Sequence, residues 1–460
     1  MHSNAAAGAV PDHFLAFIGG YCMRDLSGKG LRSGLLAALI ALALLGCDKE
    51  SPETLLGQAK ADLAARNPAA AVIRLKTALQ TNPSSSETRV LLGRALLQTG
   101  DARGAVVELS RALELKHDSA EVMPDLARAL LQSGAAVKLT SAYGELQLDD
   151  KAAAVAFKTH LATAWAQLGK PEKAESALKD ALNLDPDNPE VRLLQARMAA
   201  ERGEHDKALG MVDTVIAKGA ALREAWQLRG EILAFGLGNL REAEAAVRKS
   251  LDADRSYLPS HVLLTSLHIG NGDFAKAKAQ FKELQELAPD QVQTVFLQAQ
   301  LEMSDKNYPR ALELVQGVLK VTPTNVNALR LASAIEWHLG SPEAAARLLE
   351  TALKSDPTVS AMRVNLAHIY LRLGQARRAQ EIIGPVVISE RASSEALGVA
   401  AEASLQQGRL DQAEALFVRA ASAKPEDQRL QTSLAMARLA KGDTVRALEQ
   451  LENLAASSSE

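Results

Sequence analysis

The residues that could do chemistry are few and scattered along the chain. Nine histidines occur, His2, His13, His117, His160, His205, His261, His268, His338 and His368, and a metal site would require at least three ligands converging on one point. His261 and His268, seven apart, could share a helix face, yet no HExxH or CxxC pattern supplies a third donor. Gly28-Lys29-Gly30, Gly236-Leu237-Gly238 and Gly270-Asn271-Gly272 could cradle a phosphate, but none follows a strand pattern or completes GxxxxGK[ST]. No GxSxG elbow occurs, and acidic pairs such as Asp149-Asp150 fall in loops. No catalytic residue, metal ligand, cofactor or small-molecule substrate is therefore expected. One thiol stands apart: Cys47 follows directly on an apolar run from Leu35 to Leu45 and precedes Asp48, Lys49 and Glu50.

The elements that would have to position any site are more legible. With 47% hydrophobic but only 3% aromatic residues and no β-branched alternation, the chain reads as alanine- and leucine-rich helix. Lys plus Arg at 52 against Asp plus Glu at 55 leaves too little positive charge for a nucleic-acid binder that works by neutralising phosphates. The stretch from Val155 to Asn188 shows the plan. Phe157, Leu161, Ala162, Ala164, Trp165 and Leu168 lie at helical spacing, Gly169 ends that helix, and Pro171 opens another with Ala174, Ala177, Leu178 and Ala181 on one face. Pro186 closes it.

This unit recurs about every 34 residues. The second-helix alanine returns at Ala71, Ala105, Ala174, Ala208, Ala243, Ala277, Ala311, Ala345, Ala379, Ala413 and Ala447, with Leu139 as the one substitution. The turn glycine returns at Gly100, Gly134, Gly169, Gly203, Gly238, Gly272, Gly340, Gly374, Gly408 and Gly442, with Arg66 and Lys306 as exceptions. Twelve repeats fill residues 52–460, of which the third, 120–154, is degenerate and should have a shortened or bent second helix. An extra residue near Gly236-Leu237-Gly238 is expected to be absorbed in the turn, and no polar capping helix follows the twelfth repeat.

Trp165 at an aromatic position, Gly169 at the turn, Ala174 and Ala181 seven apart and Pro186 at the close resemble the tetratricopeptide repeat. The resemblance implies an all-α, right-handed superhelical solenoid of about twelve antiparallel hairpins, whose first helices line a surface that receives extended peptides or helices. On those helices one stripe reads Leu97, Leu131, Ile269, Met303, Trp337, Leu371, Leu405 and Leu439, with Phe296 and Val364 a turn earlier in two of them. Such a stripe can simply pack neighbouring first helices together. Alternatively, Phe296, Met303, Trp337, Val364 and Leu371 form an apolar groove for a protein partner.

The start of the chain sets an address. Residues 1–22 show no repeat register, and translation is expected to start at Met23. From there Arg24, Lys29 and Arg32 precede the apolar run, which is too short to span the roughly 30 Å of a bilayer core, so 23–46 read as a signal peptide. Leu44-Leu45-Gly46-Cys47 resembles a bacterial lipobox, which implies lipid on Cys47, a tether over 47–51 and a place on the periplasmic side of a membrane. Which membrane is left open. A lipobox followed at once by alanine-rich repeats is similar to the repeat lipoproteins encoded beside exosortase and exopolysaccharide loci, the PEP-CTERM system. That likeness implies protein partners in the cell envelope and a role in protein sorting or polysaccharide export. Two alternatives share the same features: an assembly lipoprotein bridging a polysaccharide synthase and an outer-membrane pore, and the regulatory arm of a longer enzyme.

Overall fold

A computed structural model of the 460-residue chain describes residues 50–389 and 392–457. Twelve helix pairs follow one another, and no strand occurs among the described residues. The expected extension, signal segment and tether up to Lys49, with Cys47, lie outside the described residues. No described helix is long and apolar enough to cross a membrane.

The ninth repeat shows why these residues fold as they do. Asn325 caps the first helix, Val326–His338, by accepting from the Ala328 N–H at 3.0 Å. Gly340 then takes φ 79°. In that conformation its N–H reaches the Trp337 carbonyl at 3.1 Å while the Ser341 N–H reaches that of Glu336 at 2.9 Å, so two otherwise orphaned acceptors are satisfied. Pro342 opens the second helix, Pro342–Ser355, where its missing N–H costs nothing. All ten turn glycines have positive φ. Arg66 and Lys306 hold the same left-handed conformation at φ 57° and 61°, which an L-residue adopts at a cost of roughly 1 kcal/mol.

Small residues set the spacing within a hairpin. Every position of the second-helix ladder from Ala71 to Ala447, Leu139 included, has 0% exposure. In the second repeat a Cβ built on Gly93 would lie 2.5 Å from Leu109 Cγ, so the helices Ser86–Gln98 and Ala102–Glu114 approach as closely as their side chains permit. Ala181 is also fully buried, and Pro186 stands two residues beyond the helix Pro171–Leu184 that it follows.

The chain forms two compact units, divided between Leu168 and Gly169, inside the fourth repeat. In the first unit the second helix of the third repeat, Ala136–Tyr143, has eight residues where the others have twelve to fourteen. In the second unit the extra residue of the sixth repeat is not placed as expected. It sits at the end of the first helix, as a π-turn over Ile232–Gly236 in which the Leu237 N–H donates to the Ile232 carbonyl at 3.2 Å. This keeps Ile232, Leu233 and Ala234 in the core and leaves Asn239 free to cap the next helix on the Glu242 N–H. The residue displaced outward is Phe235, 74% exposed.

Candidate interaction groove

In the second unit, the first helices of repeats seven to ten are Leu258–Gly270, Val292–Ser304, Val326–His338 and Ser360–Arg372. They border a groove of about 830 Å³. Its apolar lining comes from Ile269, Phe296, Met303, Leu331, Ala334 and Trp337, with Leu349 and Ile369 at the floor. Phe296, Gln300 and Met303 follow one another at i, i+4 and i+7, and Asn365, His368 and Arg372 at i, i+3 and i+7, so each set falls on one helix face.

Neighbouring first helices along the groove meet to different extents. Those of repeats ten and eleven, Ser360–Arg372 and Ser394–Gln406, pack against each other, whereas those of repeats nine and ten scarcely touch. Between the latter pair the second-helix residue Leu349 shows through as floor. Trp337, with no helix covering it, is 37% exposed.

The stripe read in the sequence is thereby divided. Phe296, Met303 and Trp337 line the groove; Val364 and Leu371 do not, each being 5% exposed in the core that repeat ten shares with repeat eleven. Leu97 is likewise buried, and Leu131, Leu405 and Leu439 are half-buried.

Several polar groups of the groove carry no sequence signature of their own: Gln300, Asn327, Arg330, Asn365, His368 and Arg372. A register of 34 residues would have located some of them. Arg330 occupies the position of Phe296 and Val364, and His368 that of Gln300 and Ala334. The Arg372 guanidinium carbon lies 5.9 Å from the Trp337 ring centroid, and His368 Nε2 is 3.9 Å from Glu395 Oε1, too far for a hydrogen bond. At the floor, Ser333 Oγ is already committed, donating to the Ala345 carbonyl at 2.9 Å.

Three further histidines are explained by packing. His261 is buried with both ring nitrogens engaged: Nε2 donates to the Arg255 carbonyl at 2.8 Å, and Nδ1 accepts from Gln280 Nε2 at 2.7 Å. His268 is buried too, and desolvation holds its pKa below the usual imidazole value. His338 stacks on Tyr308 with centroids 4.8 Å apart. No three His, Cys, Asp or Glu side chains are placed to hold a metal ion among the described residues.

Fold and groove together define a helical-hairpin repeat protein with an open groove lined by apolar and polar side chains in similar measure. Models of the tetratricopeptide repeat match residues 62–123, 166–232 and 336–403 in one form, 262–326, 296–360 and 399–460 in a second, and 224–257 in a third. The chain belongs to the tetratricopeptide repeat family. Among curated proteins, human Superkiller complex protein 3 is 25% identical over 164 residues, which make up 35% of this chain and 10% of that protein. Among solved structures, the APC/C hetero-tetramer Cut9–Hcn1 is 13% identical with a TM-score of 0.49, covering 88% of this chain and 99% of that one. Yeast Tom70 is 16% identical with a TM-score of 0.41, over 90% and 93%.

Proposed function

We propose that the protein is a scaffold that binds other proteins through the groove of repeats seven to ten. The observation that carries this reading is Trp337, a large aromatic side chain left 37% exposed beside Phe296 and Met303 in a groove of about 830 Å³. An indole so placed can be buried by an incoming apolar side chain, the kind of anchor on which binding energy concentrates. No reaction is assigned to the groove, whose lining holds no nucleophile paired with a base.

The address proposed for this scaffold is the periplasmic face of a bacterial membrane, held by lipid on Cys47, with partners in the envelope machinery that sorts exported proteins or exopolysaccharide. Support for this comes from the order of basic, apolar and cysteine residues ahead of the first repeat. Crosslinking in the native envelope, in parallel for the wild type and Trp337→Ala, tests the binding role. Capture of export or polysaccharide components that diminishes in the variant supports it; capture unaffected by Trp337→Ala contradicts it. Mass analysis of the mature N-terminus tests the anchor separately, a diacylglyceryl-modified Cys47 being expected and an unprocessed chain contradicting it.

A further inference from the structure

The charged lining of the groove has one sign. Arg330 and Arg372 line it and no Asp or Glu does, although the chain as a whole has a formal net charge of −3. Both arginines are exposed, and neither is ion-paired to a carboxylate among the described residues; Arg372 meets only the face of Trp337. Two unneutralised guanidiniums over low-dielectric walls attract anions, and each offers a planar fork that matches a carboxylate. The amides of Gln300, Asn327 and Asn365 have no hydrogen-bond partner among the described residues and flank the apolar floor, where they can pair with the backbone of an extended chain.

On the reading of the groove as a protein-binding surface, we infer that its occupant is an extended peptide segment in which acidic side chains alternate with apolar ones. The acids face Arg330 and Arg372, and an apolar residue between them covers Trp337. The complementarity is one of sign and chemistry together: the apolar walls supply affinity and the two arginines reject basic or neutral sequences.

Panning a random dodecapeptide library on the full chain tests this, followed by titration of the recovered sequences as labelled peptides with amidated C-termini. The expected outcome is enrichment of Asp and Glu beside aliphatic or aromatic residues, and binding about tenfold weaker when the acids become Gln or Asn. Arg330→Gln and Arg372→Gln should cause losses of the same order, while acid-to-amide peptides lose little more on those variants; circular dichroism confirms that both remain folded. Recovered peptides that are neutral or basic yet still compete at Trp337 would overturn the assignment while leaving the groove reading intact. Loss of binding on amidation would point to a chain-terminal carboxylate and also overturn it. Failure to recover any peptide sensitive to Trp337→Ala would sink both readings. Self-association abolished by Trp337→Ala would put a second copy in the groove and contradict the acidic segment.

Discussion

Arg372 lies across the groove from the helix that carries Trp337, its guanidinium carbon 5.9 Å from the indole centroid. The pair joins the first helices of repeats nine and ten where those helices scarcely meet, so a cation and an aromatic face occupy the gap left open between them. Both side chains are exposed, and both are available to a partner.

Truncating Trp337 should separate binding from stability. Because its side chain is partly solvated, Trp337→Ala is expected to cost about 1 kcal/mol of folding stability, well below the 3–5 kcal/mol typical of a fully buried Trp. Peptide or partner affinity should fall at least about tenfold. Urea titration and binding isotherms on the same preparation check both; a stability loss above about 3 kcal/mol would mean the residue belongs to the core.

Leu371 gives the opposite expectation. It is 5% exposed in the core that runs through repeats nine to twelve, so Leu371→Ala should destabilise by about 2–5 kcal/mol, while any peptide still bound by the folded protein keeps its affinity. Val364→Ala should behave alike with a smaller loss. Thermal melts and titrations distinguish this from a groove role, in which the ranking of the two effects would reverse.

The two non-glycine turns are sites for stabilisation. Lys306 at φ 61° and Arg66 at φ 57° hold a conformation that glycine tolerates more easily, so Lys306→Gly and Arg66→Gly should each gain about 0.5–1 kcal/mol. Gly340→Ala, at φ 79°, should lose about 1 kcal/mol. Chemical denaturation midpoints decide, and a loss for the first two would show that their side chains contribute more than the backbone strain removes.

His160 makes the stability of the first unit depend on pH. Burial, reinforced by the charge of Arg128 and opposed by that of Asp125, lowers its pKa from 6.5 to about 4. Between those values the unfolded chain binds a proton that the folded chain refuses, so this contribution to stability is full above about pH 6.5 and is lost as pH falls toward 4. The stability difference between wild type and His160→Gln should therefore be constant near neutrality and shift against the wild type below pH 6.5. Urea midpoints measured from pH 4.5 to 7.5 check this; a pH-independent difference would contradict it.

Much of the fold was legible because a hairpin repeat writes its geometry twice, once in the buried ladder from Ala71 to Ala447 and once in the left-handed turns from Gly100 to Gly442. The site was legible only in part. Phe296, Met303 and Trp337 announce themselves as apolar residues at a repeated position, but whether such a position opens to a groove or is covered depends on the next first helix, and Leu371 has the same register as Trp337 with the opposite fate. Arg330 could have been found from the register it shares with Phe296 and Val364, but Arg372 was invisible for a related reason: a polar residue on a helix declares that it avoids the core, not which surface it faces. The π-turn at Ile232–Gly236 escaped because an insertion has the same length whether a turn or a helix end absorbs it.

Photo-crosslinking from single positions tests most directly the claim that this groove is the working surface. A benzophenone amino acid replaces Trp337 in one full-length variant and Val321, 65% exposed on a second helix of the same unit, in another. Adducts formed in the native cell from position 337 and absent from position 321 are the expected result. Equal adducts from both positions, or adducts from 321 alone, would contradict it.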